Sequence, residues 1–346
     1  GLTGSCPRQL FQRSRRLPAL LFMAPHSLST DTQMREPSPD KTYRGRFAPS
    51  PTGALHFGSL VAAVGSYLDA RHRHGEWLLR IEDIDPPREM PGATGAILRA
   101  LEHFGLQWDG PVVYQSRRSS YYESALETLH IVGAVYDCAC SRKEIADSAV
   151  HSDAGPVYPG SCRNGMPPGR KARSLRVAVN DSPITVQDRL QGTLQHSLHE
   201  QTGDFVVRRA DKLVAYQLAV VVDDAEQGIT HVVRGADLLD STPRQVYLQQ
   251  LLGYPRPDYT HLPVAANLAG EKLSTQTRAR HIGMDDPVLT LCGALGFLRQ
   301  PLPDDPRMAN LDELWQWATA HWTPAAIPGQ RSLPAPSAWL DDTAAT

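Results

Sequence analysis

The alternation of apolar and polar positions divides this chain, from about residue 43 onward, into short strands and amphipathic helices. Arg46, Phe47 and Ala48 read as the end of a strand, and Leu60, Val64, Tyr67 and Leu68 fall on one face of the helix that follows. Between them, Pro49, Ser50, Pro51, Thr52 and Gly53 predict a stiff turn, because proline fixes φ and glycine reaches φ values other residues avoid. Residues 77–81 predict a buried strand, and helical patterns cover about 93–104 and 121–133. Residues 136–141 read as a strand running into a capped helix. Strand-like segments at 175–179 and 184–187 suggest a small β-containing insertion, after which the main sheet is expected to resume at 205–209. The run 215–224 is apolar with an acidic end and fits a strand or a buried helix equally. Residues 230–237 predict a core strand ending in charge, 242–252 a helix stopped by Gly253, 259–266 a strand, and 287–298 and 311–322 two closing helices.

Composition narrows the class. A length of 346 residues suggests two domains, or one with a large insertion. Hydrophobic content of 41% with 21% charged residues fits a soluble globular protein. The net charge of −2 excludes a global basic signature, so an RNA partner has to be held by local patches. No apolar run approaches the roughly 20 residues of a membrane helix. Five cysteines, three of them clustered, fit a reducing cytoplasm and one metal site better than a disulfide framework. Residues 1–42 differ from the rest: Arg8, Arg13, Arg15 and Arg16 precede a short apolar run and a Ser/Thr/Pro-rich stretch. They are expected to be a disordered leader, or sequence upstream of a later start at Met23 or Met34.

The candidate chemistry lies at strand ends. A helix that begins near Gly58 presents unpaired N–H groups suited to a phosphate. Gly58 allows an adenine or ribose close to the backbone, and His56 can donate to a phosphate oxygen where charge develops. The loop is not a Walker A motif, since Ser59 stands where its lysine is needed. Glu82, Asp83 and Asp85 follow a strand, where open α/β sheets bind ligands; they suit an amino group or make a solvated acidic loop. Arg234, also at a strand end, suits a bidentate grip on a carboxylate, or a salt bridge to Asp237 or Asp240. Cys138, Cys140 and Cys162 are metal candidates, and either His151 or Tyr158 can supply the fourth ligand of a tetrahedral zinc. Arg163, Arg170, Lys171, Arg173 and Arg176 form a basic cluster that suits an RNA backbone or a solvated face.

The run RFAPSPTGALHFGS, residues 46–59, resembles the first signature of class I aminoacyl-tRNA synthetases, with His56-Phe57-Gly58-Ser59 in the place of HIGH. Its flank is similar to the glutamyl branch, as are Arg80-Ile81-Glu82-Asp83 and the segments AYQLAVVVDD and ITHVVRGADLL. Lys272-Leu273-Ser274-Thr275-Gln276 resembles the second signature, KMSKS, with Thr275 where the second lysine is usual. Losing such a contact typically costs about 10²–10³-fold in rate unless something replaces it. The resemblance implies an α/β architecture: a Rossmann-like class I nucleotide-binding fold with a zinc-binding insertion and a short helical C-terminal part. The halves of the nucleotide-binding fold are expected at 43–135 and 205–253, the insertion at 136–204, the second-signature loop and helical part at 254–325, and a tail at 326–346.

It further implies glutamate binding by Arg46, Phe47, Ala48, Pro49, Ser50, Glu82, Tyr216 and Arg234. ATP, with Mg²⁺, would be held by His56, Gly58, Ser59, Lys272, Ser274 and Thr275, His56 and Lys272 being catalytic. One structural zinc would sit on Cys138, Cys140, Tyr158 and Cys162, following a C-x-C…Y-x-x-x-C pattern. The implied reaction has two steps, adenylation of L-glutamate and transfer to RNA. The chain is similar to the short members of the branch, which lack the anticodon-reading domain; their RNA partner is tRNA-Asp bearing queuosine, and a cytoplasmic monomer is expected. A truncated enzyme charging a tRNA 3′ end, and a catalytically silent paralogue suggested by Thr275, are the rival readings.

Overall fold

The computed structural model describes residues 42–148, 150–152, 155–267, 270–273, 282, 285–305 and 310–339. The expected leader (apart from Thr42), Ser274, Thr275 and the end of the tail lie outside them. Strand β1 (Arg44–Phe47), helix α1 (Phe57–His72) and strand β2 (Glu76–Ile81) form a βαβ unit: β1 and β2 pair in parallel, Arg44 opposite Glu76 and Phe47 opposite Leu79. Helix α2 (Ala93–His103) leads to β3 (Val113–Tyr114), which extends the parallel sheet beyond β2, and then to α3 (Ser119–Ile131). Burial on α1 is wider than one face: Leu60, Val64 and Leu68 are buried, and so are Val61, Ala63 and Ala70. The reason is that α1 packs on β1, β2 and the later strand His231–Gly235 on one side and on the closing helices on the other.

The middle of the chain is divided between two sheets. It runs through β4 (Val135–Cys138), α4 (Arg142–Ser148), β5 (Val150–Ser152), β6 (Gly155–Val157), β7 (Ser174–Val177), β8 (Ile184–Asp188), β9 (Gly192–His196), α5 (Leu198–Gln201) and β10 (Phe205–Arg208). Strands β10, β7 and β4 make a separate antiparallel sheet, and β5 pairs with β6. Thus β10, expected to resume the main sheet, pairs with β7 instead. Conversely β8, expected within the insertion, joins the second parallel sheet.

That sheet is completed by the next elements: α6 (Tyr216–Glu226), β11 (His231–Gly235), α7 (Thr242–Leu252), β12 (Asp258–Leu262) and β13 (Val264–Ala266). Its order is β11-β12-β8-β9, with β11, β12 and β8 parallel and β9 antiparallel. The ambiguous run after Ala215 is therefore a helix, buried along Leu218 to Asp224. Helix α7 stops at Gly253, whose φ of 68° is left-handed. The single strand expected over 259–266 is broken at Pro263, which has no N–H to donate to a ladder. The two parallel sheets meet where the Thr230 N–H donates to the Arg44 carbonyl at 2.9 Å. Helices α8 (Pro287–Phe297) and α9 (Leu311–Ala320) close the core over α1; Phe57 meets Phe297 edge-on at 5.7 Å and Tyr67 meets Trp315 at 4.8 Å. Strand β14 (Ser332–Pro334) pairs with β13.

Candidate active site

The loop from β1 to α1 is held to its neighbours by its own backbone. The Pro49 carbonyl accepts from Glu82 N–H and the Pro51 carbonyl from Met90 N–H, both at 2.9 Å. This fixes the stiff turn at the carboxyl end of β2. Together with the ends of β11 and β12 it encloses a cleft of 420 Å³. Arg46, Phe47, Ala48, Pro49, Ser50, His56, Gly58, Ser59, Glu82, Tyr216, Arg234 and Lys272 all line it, so every predicted glutamate- or ATP-binding residue that the structure describes meets at one place.

Beneath the cleft lies a buried ionic layer. Arg46 reaches Asp224 through two bonds, at 3.1 and 3.3 Å; Arg80 reaches the same carboxylate at 2.8 Å and Glu82 at 3.4 Å. Asp223 accepts from Arg118 at 2.5 Å, Gln115 at 2.7 Å and Tyr122 at 2.8 Å. Burial works against a charge on Asp224, yet Arg46 and Arg80 outweigh it and hold the carboxyl below its usual range. Glu82 goes the other way: burial pushes it up against the pull of Arg80 and Arg46. Tyr216, buried beside Glu82, is pushed up to about 12. A cationic amine beside Glu82 would favour its charged form.

Arg234 is different in kind. Its Nε donates to His261 Nε2 at 3.0 Å, and its Nη2 donates to Thr242 Oγ1 at 2.9 Å and Gln245 Oε1 at 2.7 Å. All three acceptors are uncharged, because burial drives His261 down to about 4 despite its bond to Asp188. Asp237 pairs with Lys272 and Asp240 with Arg331, so neither makes the salt bridge considered for Arg234. The remaining nitrogen, Nη1, is buried with no hydrogen-bond partner among the described residues. A buried guanidinium with an open N–H edge is suited to a carboxylate.

His56 sits at the N-cap of α1. Its Nδ1 accepts from the Ser59 N–H at 3.2 Å and its Nε2 lies 3.1 Å from Ser59 Oγ. It thus caps one N–H group of the helix's first turn. A Cβ on Gly58 would press on the His56 ring at 3.3 Å and make an ordinary contact with the Leu273 carbonyl at 3.6 Å, so glycine here spares the His56 ring.

In the insertion, the Cys138, Cys140 and Cys162 sulfurs all lie within 4.8 Å of one another. Tyr158 Oη joins them, 3.4 Å from Cys138 Sγ and 3.7 Å from Cys140 Sγ, and Cys140 Sγ is 3.7 Å from Cys162 Sγ. A tetrahedral zinc with thiolate and oxygen ligands has ligand–ligand edges of about 3.5–3.8 Å, so these four side chains fit that ion. His151 lies on β5, its side chain outside the described residues. Burial raises the Cys138 thiol, but hydrogen bonds with Tyr158 and the Cys140 backbone and the nearby Arg176 bring it down to about 7, which favours a thiolate ligand. The cluster's own apolar packing is small, Ala139, Ile145 and Met166 being its aliphatic neighbours, so a metal has much to add to its order.

Sequence reasoning missed several residues of the site. Asp223 and Asp224 were noted only as the acidic end of an apolar run. Arg118, Asp188, Gln245 and His261 carried no local signal at all.

Residues 42–287 match the model of the family described as tRNA synthetases class I (E and Q), catalytic domain. The chain is 58% identical over 297 residues to the glutamyl-Q tRNA(Asp) synthetase of Dechloromonas aromatica, covering 85% of this chain and 99% of that one. Its counterpart in Chromobacterium violaceum is 57% identical over 293 residues, covering 84% and 98%. Among solved structures, the glutamate-tRNA synthetase of Elizabethkingia anophelis superposes with a TM-score of 0.70 at 24% identity, covering 84% of this chain and 67% of that one, a likeness of fold. No helix among the described residues is long and apolar enough to cross a membrane.

Proposed function

This chain belongs to the class I tRNA synthetases (E and Q) by its catalytic domain, and from that premise we propose that it activates L-glutamate with ATP and transfers the glutamyl group to queuosine in the anticodon of tRNA-Asp. The observation that carries the amino-acid choice is Arg234, the buried guanidinium whose described partners are all neutral and whose Nη1 faces no acceptor. A substrate side-chain carboxylate supplies the missing anion. Glutamine brings a neutral amide and leaves the guanidinium unpaired, which disfavours it. Glu82 and Tyr216, at the same cleft, are suited to the substrate's ammonium. The RNA choice rests on relatives more than 50% identical over most of the chain that carry the glutamyl-Q tRNA(Asp) synthetase name.

In the first step an oxygen of glutamate's α-carboxylate attacks the α-phosphorus of ATP; the new P–O bond forms as the bond to pyrophosphate breaks. Mg²⁺ bound with ATP supplies charge neutralisation at the phosphates. The N-terminal N–H groups of α1 and the His56 ring are suited to stabilise the negative charge that develops. Lys272, paired with Asp237 here, would exchange that carboxylate for a phosphate oxygen. In the second step a hydroxyl of the queuosine ring attacks the activated carbonyl and AMP leaves. Cys138, Cys140, Tyr158 and Cys162 would hold a zinc that orders the insertion.

The test is ATP–pyrophosphate exchange with glutamate, followed by transfer of labelled glutamate to queuosine-bearing tRNA-Asp or to tRNA-Glu. Exchange without RNA and label on tRNA-Asp are expected. Label on the terminal adenosine of tRNA-Glu would refute the RNA assignment, and absence of exchange under every condition would refute activation.

A further inference from the structure

The open edge of Arg234 depends on what fixes its other edge. Arg234 on β11 and His261 on β12 are direct cross-strand partners, and Asp188 ends β8, the next strand over. All three are buried. Asp188 Oδ1 accepts from the backbone N–H of Leu190 at 3.0 Å and of Gln191 at 2.8 Å; Oδ2 accepts from the His261 backbone N–H at 3.1 Å and faces His261 Nδ1 at 2.7 Å. Beside a carboxylate oxygen, Nδ1 must carry the proton. The imidazole then offers Nε2 as a lone pair, and that lone pair receives Arg234 Nε–H.

We propose that Asp188 and His261 form a positioning pair for glutamate recognition: Asp188 sets the imidazole tautomer, and the tautomer aims the Arg234 guanidinium at the substrate's side-chain carboxylate. The proposal rests on the assignment of Arg234 to that carboxylate. The chemistry explains why a histidine stands here. A carboxylate at position 261 would orient the guanidinium equally well but would neutralise it, and the substrate anion would lose its attraction. A neutral acceptor orients without neutralising. Asp188, one residue further away, supplies a compensating charge that helps a buried cation persist without contact.

Asp188→Asn separates tautomer control from bulk. With its oxygen in the place of Oδ1, which already faces the backbone N–H groups of Leu190, Gln191 and, at 3.3 Å, His261, the new amide turns its NH₂ toward His261 Nδ1, which then becomes an acceptor. The proton moves to Nε2 and confronts Arg234 Nε–H, donor against donor. The expected result is a rise of about 10–100-fold in KM for glutamate in pyrophosphate exchange, with kcat and the KM for ATP within about threefold. Nitrogen–proton correlation spectra of the imidazole rings should show His261 protonated at Nδ1 in the native chain and at Nε2 in the variant. A second pair covers the case in which Asp188→Asn does not fold. His261→Gln keeps a donor toward Asp188 and an acceptor toward Arg234, and should hold glutamate at least tenfold more tightly than His261→Phe. An unchanged tautomer, an unchanged KM for glutamate, or equal losses in the two His261 variants would overturn the proposal. Arg234→Gln, run alongside, distinguishes the failures: if it leaves the KM for glutamate unchanged, the Arg234 reading falls and this pair with it; if it raises KM while Asp188→Asn does not, only the pair falls.

Discussion

Substituting Arg234 by glutamine removes the charge but keeps a side chain able to donate one hydrogen bond. The bound glutamate would then place its side-chain carboxylate against Thr242, Gln245 and His261, none of them charged in the native arrangement. Breaking a buried pair so that one charge is left uncompensated costs about 3–5 kcal/mol. At about 1.4 kcal/mol per factor of ten, kcat/KM for glutamate should fall by about 10²–10⁴. The KM for ATP should stay within about threefold, since the phosphate-binding elements, α1 and Lys272, lie on other segments. Glutamine as substrate carries no charge to strand, so its kcat/KM should change far less and the preference for glutamate should collapse. Arg234→Lys should fare little better, because a lysine keeps the charge but loses the fork that reaches His261 and Gln245 together. The assay is pyrophosphate exchange over a range of glutamate and glutamine concentrations, well below the melting temperature of each variant. A loss smaller than about tenfold for glutamate, or equal losses for glutamate, glutamine and ATP, would refute the reasoning.

The zinc assignment expects about one zinc per chain in purified protein, lowered by Cys162→Ser. It is also expected to fall in Gly203→Ala, since Gly203 has a φ of +69° and its Cβ would come within 2.5 Å of the Tyr158 carbonyl oxygen, displacing a proposed ligand through its backbone; elemental analysis checks both variants, and full occupancy in both would refute the site. Acid should destabilise the fold. For Asp69, Asp188 and Asp224 burial opposes the charge, but Arg189 for the first, His261 for the second, and Arg46 and Arg80 for the third outweigh it and depress each carboxyl. A depressed carboxyl contributes stability that is present above its unfolded value of about 3.9 and lost as pH falls through the folded one. Urea midpoints should therefore drop steeply below about pH 4, and a flat profile from pH 6 to 3 would contradict the pairing.

What the sequence made legible was local. The proline-rich turn before α1, the stop of α7 at Gly253 and the spacing of Cys138, Cys140, Tyr158 and Cys162 each depend on residues near one another in the chain. What it hid was pairing over distance. The alternation of Ile184, Val186 and Asp188 signals a strand, but alternation is satisfied by any partner, and only the folded chain shows β8 beside β12. The same holds for β10 against β7. In α6 the run Val220-Val221-Val222 favours a strand by propensity; burial of the whole segment, and the ion pairs of Asp223 and Asp224, override it.

The arginines show the limit most sharply. Arg46, Arg80, Arg118 and Arg234 all lie on or near strand or helix ends, and position in the sequence does not separate an ion pair from a receptor. In the fold, Asp224 answers Arg46 and Arg80, and Asp223 answers Arg118. Arg234 instead meets a histidine, a threonine and a glutamine. Arg46 and Arg80, both buried, and Arg118, partly buried, are matched by carboxylates; Arg234 is matched by neutral groups, which in the proposed reading leaves its charge for a ligand. Whether an arginine is structure or receptor is decided by the charge of its neighbours, and here those neighbours come from β12 and α7, segments whose sequences say nothing of Arg234. Asp188 and His261 are therefore invisible until the strands are paired, yet they determine which way the receptor faces.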